Sequence, residues 1–142
     1  LEQKGLRGVL ACFTRPMLGI CLGQQLLFDA SDEGDARGLG LLKGRVTRLA
    51  ATPRSPAPHM GWSKLLSLRP HALLEGVREG DYAYFVHSFV CPESDATLAD
   101  AEYGARFPAT VGQGNIMGCQ FHPERSGSVG ARVLGNFLAL PW

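Results

Sequence analysis

The sequence predicts an α/β domain, and three observations carry the prediction. Short apolar runs with strand character, at residues 17–20, 82–91 and 116–121, are interleaved with stretches of helical periodicity. Apolar residues make up 45% of the chain and charged ones 19%, a balance that builds a packed core rather than a disordered segment. Eighteen of the 142 residues are glycine, so many tight turns and close backbone approaches are expected.

Along the chain, Leu1, Leu6, Val9, Leu10 and Phe13 recur at near-helical spacing, which predicts a helix over residues 1–13 that Pro16 ends. The run 17–20 reads as a short buried strand, followed by a glycine-bounded turn and a helix over 22–30. Pro53, Pro56 and Pro58 make residues 51–58 an extended surface loop. Aromatic and β-branched residues predict a strand at 82–91 and another at 116–121, and residues 129–138 a closing amphipathic helix. Antiparallel hairpins are expected in the second half. The chain opens at Leu1, and Leu1-Glu2-Gln3-Lys4 resembles the middle of a helix, so the sequence is expected to be the later part of a longer polypeptide.

Fourteen Lys and Arg against thirteen Asp and Glu leave a net charge of +1 with no basic stripe, which argues against a nucleic-acid partner. The longest apolar stretch, 17–28, is interrupted by Gln24 and Gln25 and falls short of the roughly 18 residues of a membrane span. Four cysteines, Cys12, Cys21, Cys91 and Cys119, form no CxxC pair, which points to a reducing, cytoplasmic location. Neither His59 nor His87 has a metal-type partner at i+2 to i+5, which argues against zinc; no metal or other cofactor is expected.

Chemistry concentrates in Met17-Leu18-Gly19-Ile20-Cys21-Leu22-Gly23-Gln24-Gln25-Leu26-Leu27-Phe28, which reads strand, sharp turn, helix with a cysteine at the turn. Gly19 and Gly23 would let strand and helix approach, lifting the Cys21 side chain above the sheet in a nucleophile elbow. The amino end of the helix would favour thiolate, and the Leu22 N–H would face an oxygen developing on an attacked carbonyl. Taken alone, the segment also suits a buried structural cysteine in a glycine-rich turn. For Cys12, Cys91 and Cys119 the core role is expected.

A cysteine nucleophile needs a histidine and a group to hold it. His122 lies in Gln120-Phe121-His122-Pro123-Glu124, where Pro123 drives His122 toward an extended conformation. Residues two apart then share a side, so Glu124 reaches the imidazole and fixes its tautomer. An exposed surface ion pair is the other reading of the tripeptide. His71 is expected to open a short helix in contact with solvent; His59 and His87 receive no role from spacing.

These segments together resemble the class I glutamine amidotransferases, which release ammonia from glutamine through a cysteine thioester. The motifs are GICLGQQLLF and QFHPE. Within that family, Pro58-His59-Met60-Gly61-Trp62, Tyr84-Phe85-Val86-His87-Ser88-Phe89 and His122-Pro123-Glu124-Arg125-Ser126 are similar to the branch that forms the glutaminase subunit of imidazole glycerol phosphate synthase, in histidine biosynthesis. The resemblance covers essentially the whole chain. It implies a flavodoxin-like fold with a mostly parallel sheet flanked by helices, and residues 1–142 as the C-terminal two-thirds of one type-1 amidotransferase domain, without its first strands. It places the nucleophile on Cys21, the base on His122, the third triad member on Glu124 and an oxyanion donor on Leu22. Substrate contacts fall on Gln25 and on the strand around His87, Ser88 and Phe89. The implied partners are glutamine and, as a heterodimer, a cyclase subunit with a (β/α)8 barrel, which segments 59–63 and 122–126 are expected to face.

Ser63, Phe89 and Arg125 depart mildly from the family pattern. The larger departure is the lack of the first strands and of the loop that completes the oxyanion hole, which implies an incomplete sheet with an exposed apolar flank. Other readings are a thiol hydrolase or amidotransferase of the same fold, or a non-catalytic relative that binds a partner.

Overall fold

The structure is a computed structural model and describes residues 5–141. In chain order, its helices and strands are α1 (Leu6–Ala11), β1 (Met17–Ile20), α2 (Leu22–Leu26), β2 (Ala30–Ser31), β3 (Ala36–Arg37), β4 (Arg45–Arg48) and β5 (His59–Lys64). After these come β6 (Tyr82–His87), β7 (Phe89–Val90), β8 (Thr97–Tyr103), β9 (Ala105–Gln113), β10 (Ile116–Cys119) and α3 (Gly127–Leu138). Among the described residues, no helix is long and apolar enough to cross a membrane.

One four-stranded sheet runs β1-β10-β9-β8, a second runs β3-β2-β4-β7, and β5 and β6 form a hairpin. The α/β class stands. Parallel pairing occurs at β1–β10 and β2–β4. The remaining pairings of described strands are antiparallel, a larger share than the sequence suggested. The β8–β9 hairpin accounts for much of the difference.

The β1–β10 pairing positions the site. Its register sets Met17 opposite Ile116 and Gly19 opposite Gly118. These two glycines form a flat patch on which α2 rests. A Cβ on Gly19 would overlap the Gly23 carbonyl, and one on Gly118 would lie 2.8 Å from Cγ of Gln24. A Cβ on Gly23 meets no described atom within 4 Å, so only Gly19 of that pair is required by the close approach.

Two apolar clusters hold the layers together. Phe85, Phe121, Met117, Leu65, Leu73 and Val133 join the first sheet to β6 and α3. Leu27, Phe28, Leu42, Val46 and Val111 fill the space between α2 and the second sheet. Fully burying such side chains contributes about 1.5–3 kcal/mol each.

Several expected boundaries shift. The first helix covers Leu6–Ala11 and buries no residue; Leu1 lies outside the described residues. Cys12, expected in the core, is exposed, whereas Cys91 and Cys119 are buried. The helix after Cys21 stops at Leu26, because the chain turns to place Ala30 beside Arg45 in the second sheet. The strand expected over 82–91 breaks at Ser88: β6 pairs with β5, and β7 crosses to β4.

Candidate active site

Cys21 sits one residue past β1 with φ 51° and ψ −108°. A positive φ is costly for a residue with a side chain and persists only where neighbours enforce it. Here the Cys21 N–H donates to the Cys119 carbonyl at 2.8 Å, and the Cys21 carbonyl accepts from the Gln25 N–H at 3.3 Å. The bend leaves the thiol half-buried.

Its immediate partners are the Val86 carbonyl, to which Sγ donates at 3.6 Å, and Gln120, whose Nε2 donates to Sγ at 3.6 Å. No hydrogen bond joins Cys21 to His122 among the described residues. Burial pushes the Cys21 thiol above its ordinary range, and the carboxylates of Glu124 and Glu33 add to the effect. The Leu22 N–H and the Gln120 amide oppose it. The expected stabilisation of thiolate by the helix end is therefore present but outweighed by burial. The Leu22 amide does face the sulfur.

Cys21 is one residue past β1 and His122 three past β10; the strands are parallel with Ile20 registered opposite Cys119, so both residues follow neighbouring strand ends at the same end of the sheet. The His122 N–H donates to the Tyr84 carbonyl at 2.9 Å. Nδ1 of His122 lies 2.7 Å from Oε1 of Glu124. His122 is extended as expected, but Pro123–Arg125 form a 3-10 turn, so the turn rather than a two-residue strand period brings the carboxylate to the ring. A carboxylate only accepts, so Nδ1 carries the proton and Nε2 is left as the basic nitrogen. Ser126 ties this turn to β6: its Oγ donates to the His122 carbonyl at 2.7 Å and accepts from the Tyr84 N–H at 2.9 Å.

Beside the sulfur lies a cleft of about 280 Å³, bordered by Cys21, Leu22, Gln25, His87, Ser88 and Phe89. Six of the residues expected at the site thus line one depression. Gln25 is buried, its Nε2 donating to the Phe89 carbonyl and to Oε1 of Gln120, each at 3.0 Å. That engagement places it in the cleft wall rather than on a solvated helix face. The break at Ser88 is what opens the wall, since the chain leaves one sheet there and enters another.

Sequence reasoning missed Gln120, Glu33 and Ser126. Gln120 had a readable signal: it stands two residues before His122, directly after the strand that ends at Cys119. Glu33 borders the cleft from a 3-10 turn, Glu33–Asp35, whose path no local pattern reveals. No cluster of His, Cys, Asp and Glu able to hold a metal ion occurs among the described residues.

A family model for class I glutamine amidotransferases matches residues 7–140. Imidazole glycerol phosphate synthase subunit HisH of Xylella fastidiosa (strain Temecula1) is 51% identical over 140 residues, covering 99% of this chain and 70% of that protein. HisH 2 of Legionella pneumophila (strain Paris) is 46% identical with the same coverage. Among solved structures, a glutamine amidotransferase superposes with a TM-score of 0.63 at 20% identity, over 96% of this chain and 66% of that one. One from Thermotoga maritima superposes with a TM-score of 0.55 at 20% identity, over 96% of this chain and 50% of that one. A family match over residues 7–140, relatives 46–51% identical over 99% of the chain and a shared fold together establish that the chain belongs to the class I glutamine amidotransferases.

Proposed function

We propose that this chain is the glutaminase subunit of imidazole glycerol phosphate synthase, hydrolysing glutamine to glutamate and passing ammonia to a cyclase subunit. The observation that carries the site assignment is the common cleft of Cys21, Leu22, Gln25, Ser88 and Phe89, with the hydrogen-bonded His122–Glu124 pair at the neighbouring strand end.

In this reading Cys21 Sγ turns from the Val86 carbonyl and attacks the side-chain amide carbon of glutamine, giving its proton to Nε2 of His122. The resulting oxyanion lies against the Leu22 N–H, which is fixed in advance and needs no reorganisation. His122 returns the proton to the departing nitrogen, and ammonia leaves a thioester on Cys21. His122 then takes a proton from water, whose oxygen attacks the thioester; the C–S bond breaks, glutamate is freed, and His122 returns the proton to the Cys21 sulfur. Glu124 holds the imidazole in the required tautomer throughout. The carboxylate of Glu33 at the rim complements the α-ammonium of a bound glutamine, and the backbone around Ser88 supplies polar groups for its carboxylate end.

The cyclase is expected on the outer face of the β5–β6 hairpin. Met60, Trp62 and Tyr82 are each at least half exposed there. The Arg125 guanidinium lies 5.2 Å above the Tyr84 ring on the same face, joining this patch to the His122 turn. Of the 59–63 segment, His59 instead points inward and is buried. The test is glutamate formation from glutamine by the chain with and without a (β/α)8 cyclase subunit. Turnover that rises on adding the cyclase and vanishes in Cys21→Ala is expected; glutamate production by the alanine variant would refute the assignment.

A further inference from the structure

At the cleft wall, His87 faces a second histidine, His59, across the β5–β6 hairpin. His59 and His87 are registered partners, 1% and 6% exposed. Nδ1 of His87 lies 2.9 Å from the Phe89 carbonyl oxygen, Nε2 of His87 3.0 Å from Nδ1 of His59, and Nε2 of His59 3.0 Å from Oγ of Ser63. With both rings neutral, only one arrangement of protons satisfies the chain. A carbonyl can only accept, so His87 carries its proton on Nδ1 and its Nε2 accepts. His59 must then donate from Nδ1, which leaves its Nε2 to accept from the Ser63 hydroxyl.

Burying two polar rings is costly without partners, and a hydrophobic side chain would fill the same space. His59 is stacked between Phe85 and Tyr103, with centroid distances of 5.1 and 4.0 Å, so the core holds its ring plane as well as its hydrogen bonds. The outcome is delivered at one atom. The Phe89 carbonyl accepts from His87 on one side and from Gln25 Nε2, 3.0 Å away, on the other. It lies where the chain breaks from β6 into β7, the segment that edges the cleft.

We propose that His87, oriented by His59 and Ser63, is a positioning residue for the glutamine site, fixing the Phe89 carbonyl and with it the Ser88–Phe89 edge of the cleft. The proposal rests on the reading of that cleft as the glutamine site. It separates binding from chemistry: His87 borders the cleft, but the relay's hydrogen bonds run to Phe89, His59 and Ser63 and not to Cys21, the Leu22 N–H or His122, so its loss acts mainly on KM for glutamine and far less on kcat.

The experiment has two arms. Nitrogen-15 spectra of histidine-labelled protein should show His59 and His87 both protonated on Nδ1; either ring found as the Nε2–H tautomer overturns the relay whatever the activity. In kinetics with the cyclase present, His87→Leu should raise KM about tenfold with kcat within about twofold, the effect of one lost buried hydrogen bond. His87→Asn, whose amide N–H stands where Nδ1–H stood, should recover most of the loss. A folded His87→Leu protein with unchanged KM, or an equal fall in kcat, overturns the positioning role. Should the leucine variant fail to fold, Ser63→Ala leaves the ring stack intact and carries the test: about a threefold rise in KM supports the relay, and none refutes it. Wild-type protein with the expected tautomers but no glutaminase activity would overturn the glutamine reading, and with it the positioning role, while leaving the hydrogen-bond chain as a property of the fold.

Discussion

Gly130 of α3 is pressed against the carbonyl of Pro123, leaving no room for a Cβ. The helix therefore acts as a backstop for the turn that carries His122 and Glu124, and Ser126 fastens the same turn to β6. Gly130→Ala should displace the turn, costing about 1–3 kcal/mol of stability by overpacking. Glutamine hydrolysis should fall by more than the loss of folded protein, because His122 moves with the turn. Gly135→Ala is the control: a Cβ there meets no described atom within 4 Å, and a helix interior gains about 0.5–1 kcal/mol from alanine. Thermal unfolding and kcat for the two variants check both statements.

The 2.7 Å bond between His122 Nδ1 and Glu124 divides the labour of the triad. His122→Ala removes the proton acceptor itself and should lower kcat by about 10²–10⁴. Glu124→Ala removes only the group that selects the tautomer, and the His122 N–H stays tied to Tyr84 while Ser126 still holds its carbonyl. Its loss should be smaller. Steady-state rates of the two variants decide the point, and equal losses would mean that Glu124 does more than orient the ring.

Acid should weaken the fold through His59. Burial, and the neighbouring His87, lower its pKa from 6.5 to about 4. Between those values the unfolded chain binds a proton that the folded chain refuses, so stability declines as pH falls from 6.5 toward 4 and the decline ends below the lower value. The difference corresponds to roughly 3 kcal/mol. His59→Phe keeps a ring between Phe85 and Tyr103 and removes the titrating group, so its urea midpoint should fall less between pH 7 and pH 4.5 than that of the wild type. Equal declines in the two proteins would place the acid sensitivity elsewhere.

The parts of the site that sequence exposed are those built from local geometry. Gly19, Cys21 and the short helix after them encode their own bend, and Pro123 places Glu124 beside His122, so both features were readable within a few residues. The α/β class was readable for the same reason, from periods of two and of three to four. Antiparallel hairpins in the second half were readable too, but the position of β8–β9 was not, because Pro108 sits inside β9 and normally argues against a strand. Its ladder tolerates the proline by a register irregularity around Ala99 and Asp100, and its carbonyl serves Gln24 instead. The roles of Glu33 and His59 were hidden for another reason. Each depends on contacts across the fold, 28 residues apart for His59 and His87. A lone histidine in a hydrophobic strand carries no local mark of the carbonyl it will ultimately hold.

Burial places the Cys21 thiol above the ordinary cysteine range, with Glu124 and Glu33 pushing the same way. Alkylation proceeds through thiolate, so at neutral pH the free protein should react with iodoacetamide more slowly than an ordinary exposed cysteine. The rate should keep rising with pH beyond the point where a model thiol has levelled off. Glu33→Gln removes one of the negative charges at the cleft and should shift the whole rate profile to lower pH. The measurement needs Cys12→Ser to remove the exposed thiol; Cys91, pushed to about 12, and the buried Cys119 stay silent over the same range. A profile that already reaches its plateau below pH 8 would show that the Leu22 amide and Gln120 outweigh burial. Cys21 would then stand as thiolate before glutamine arrives, and His122 would have no proton to take from it in the first step.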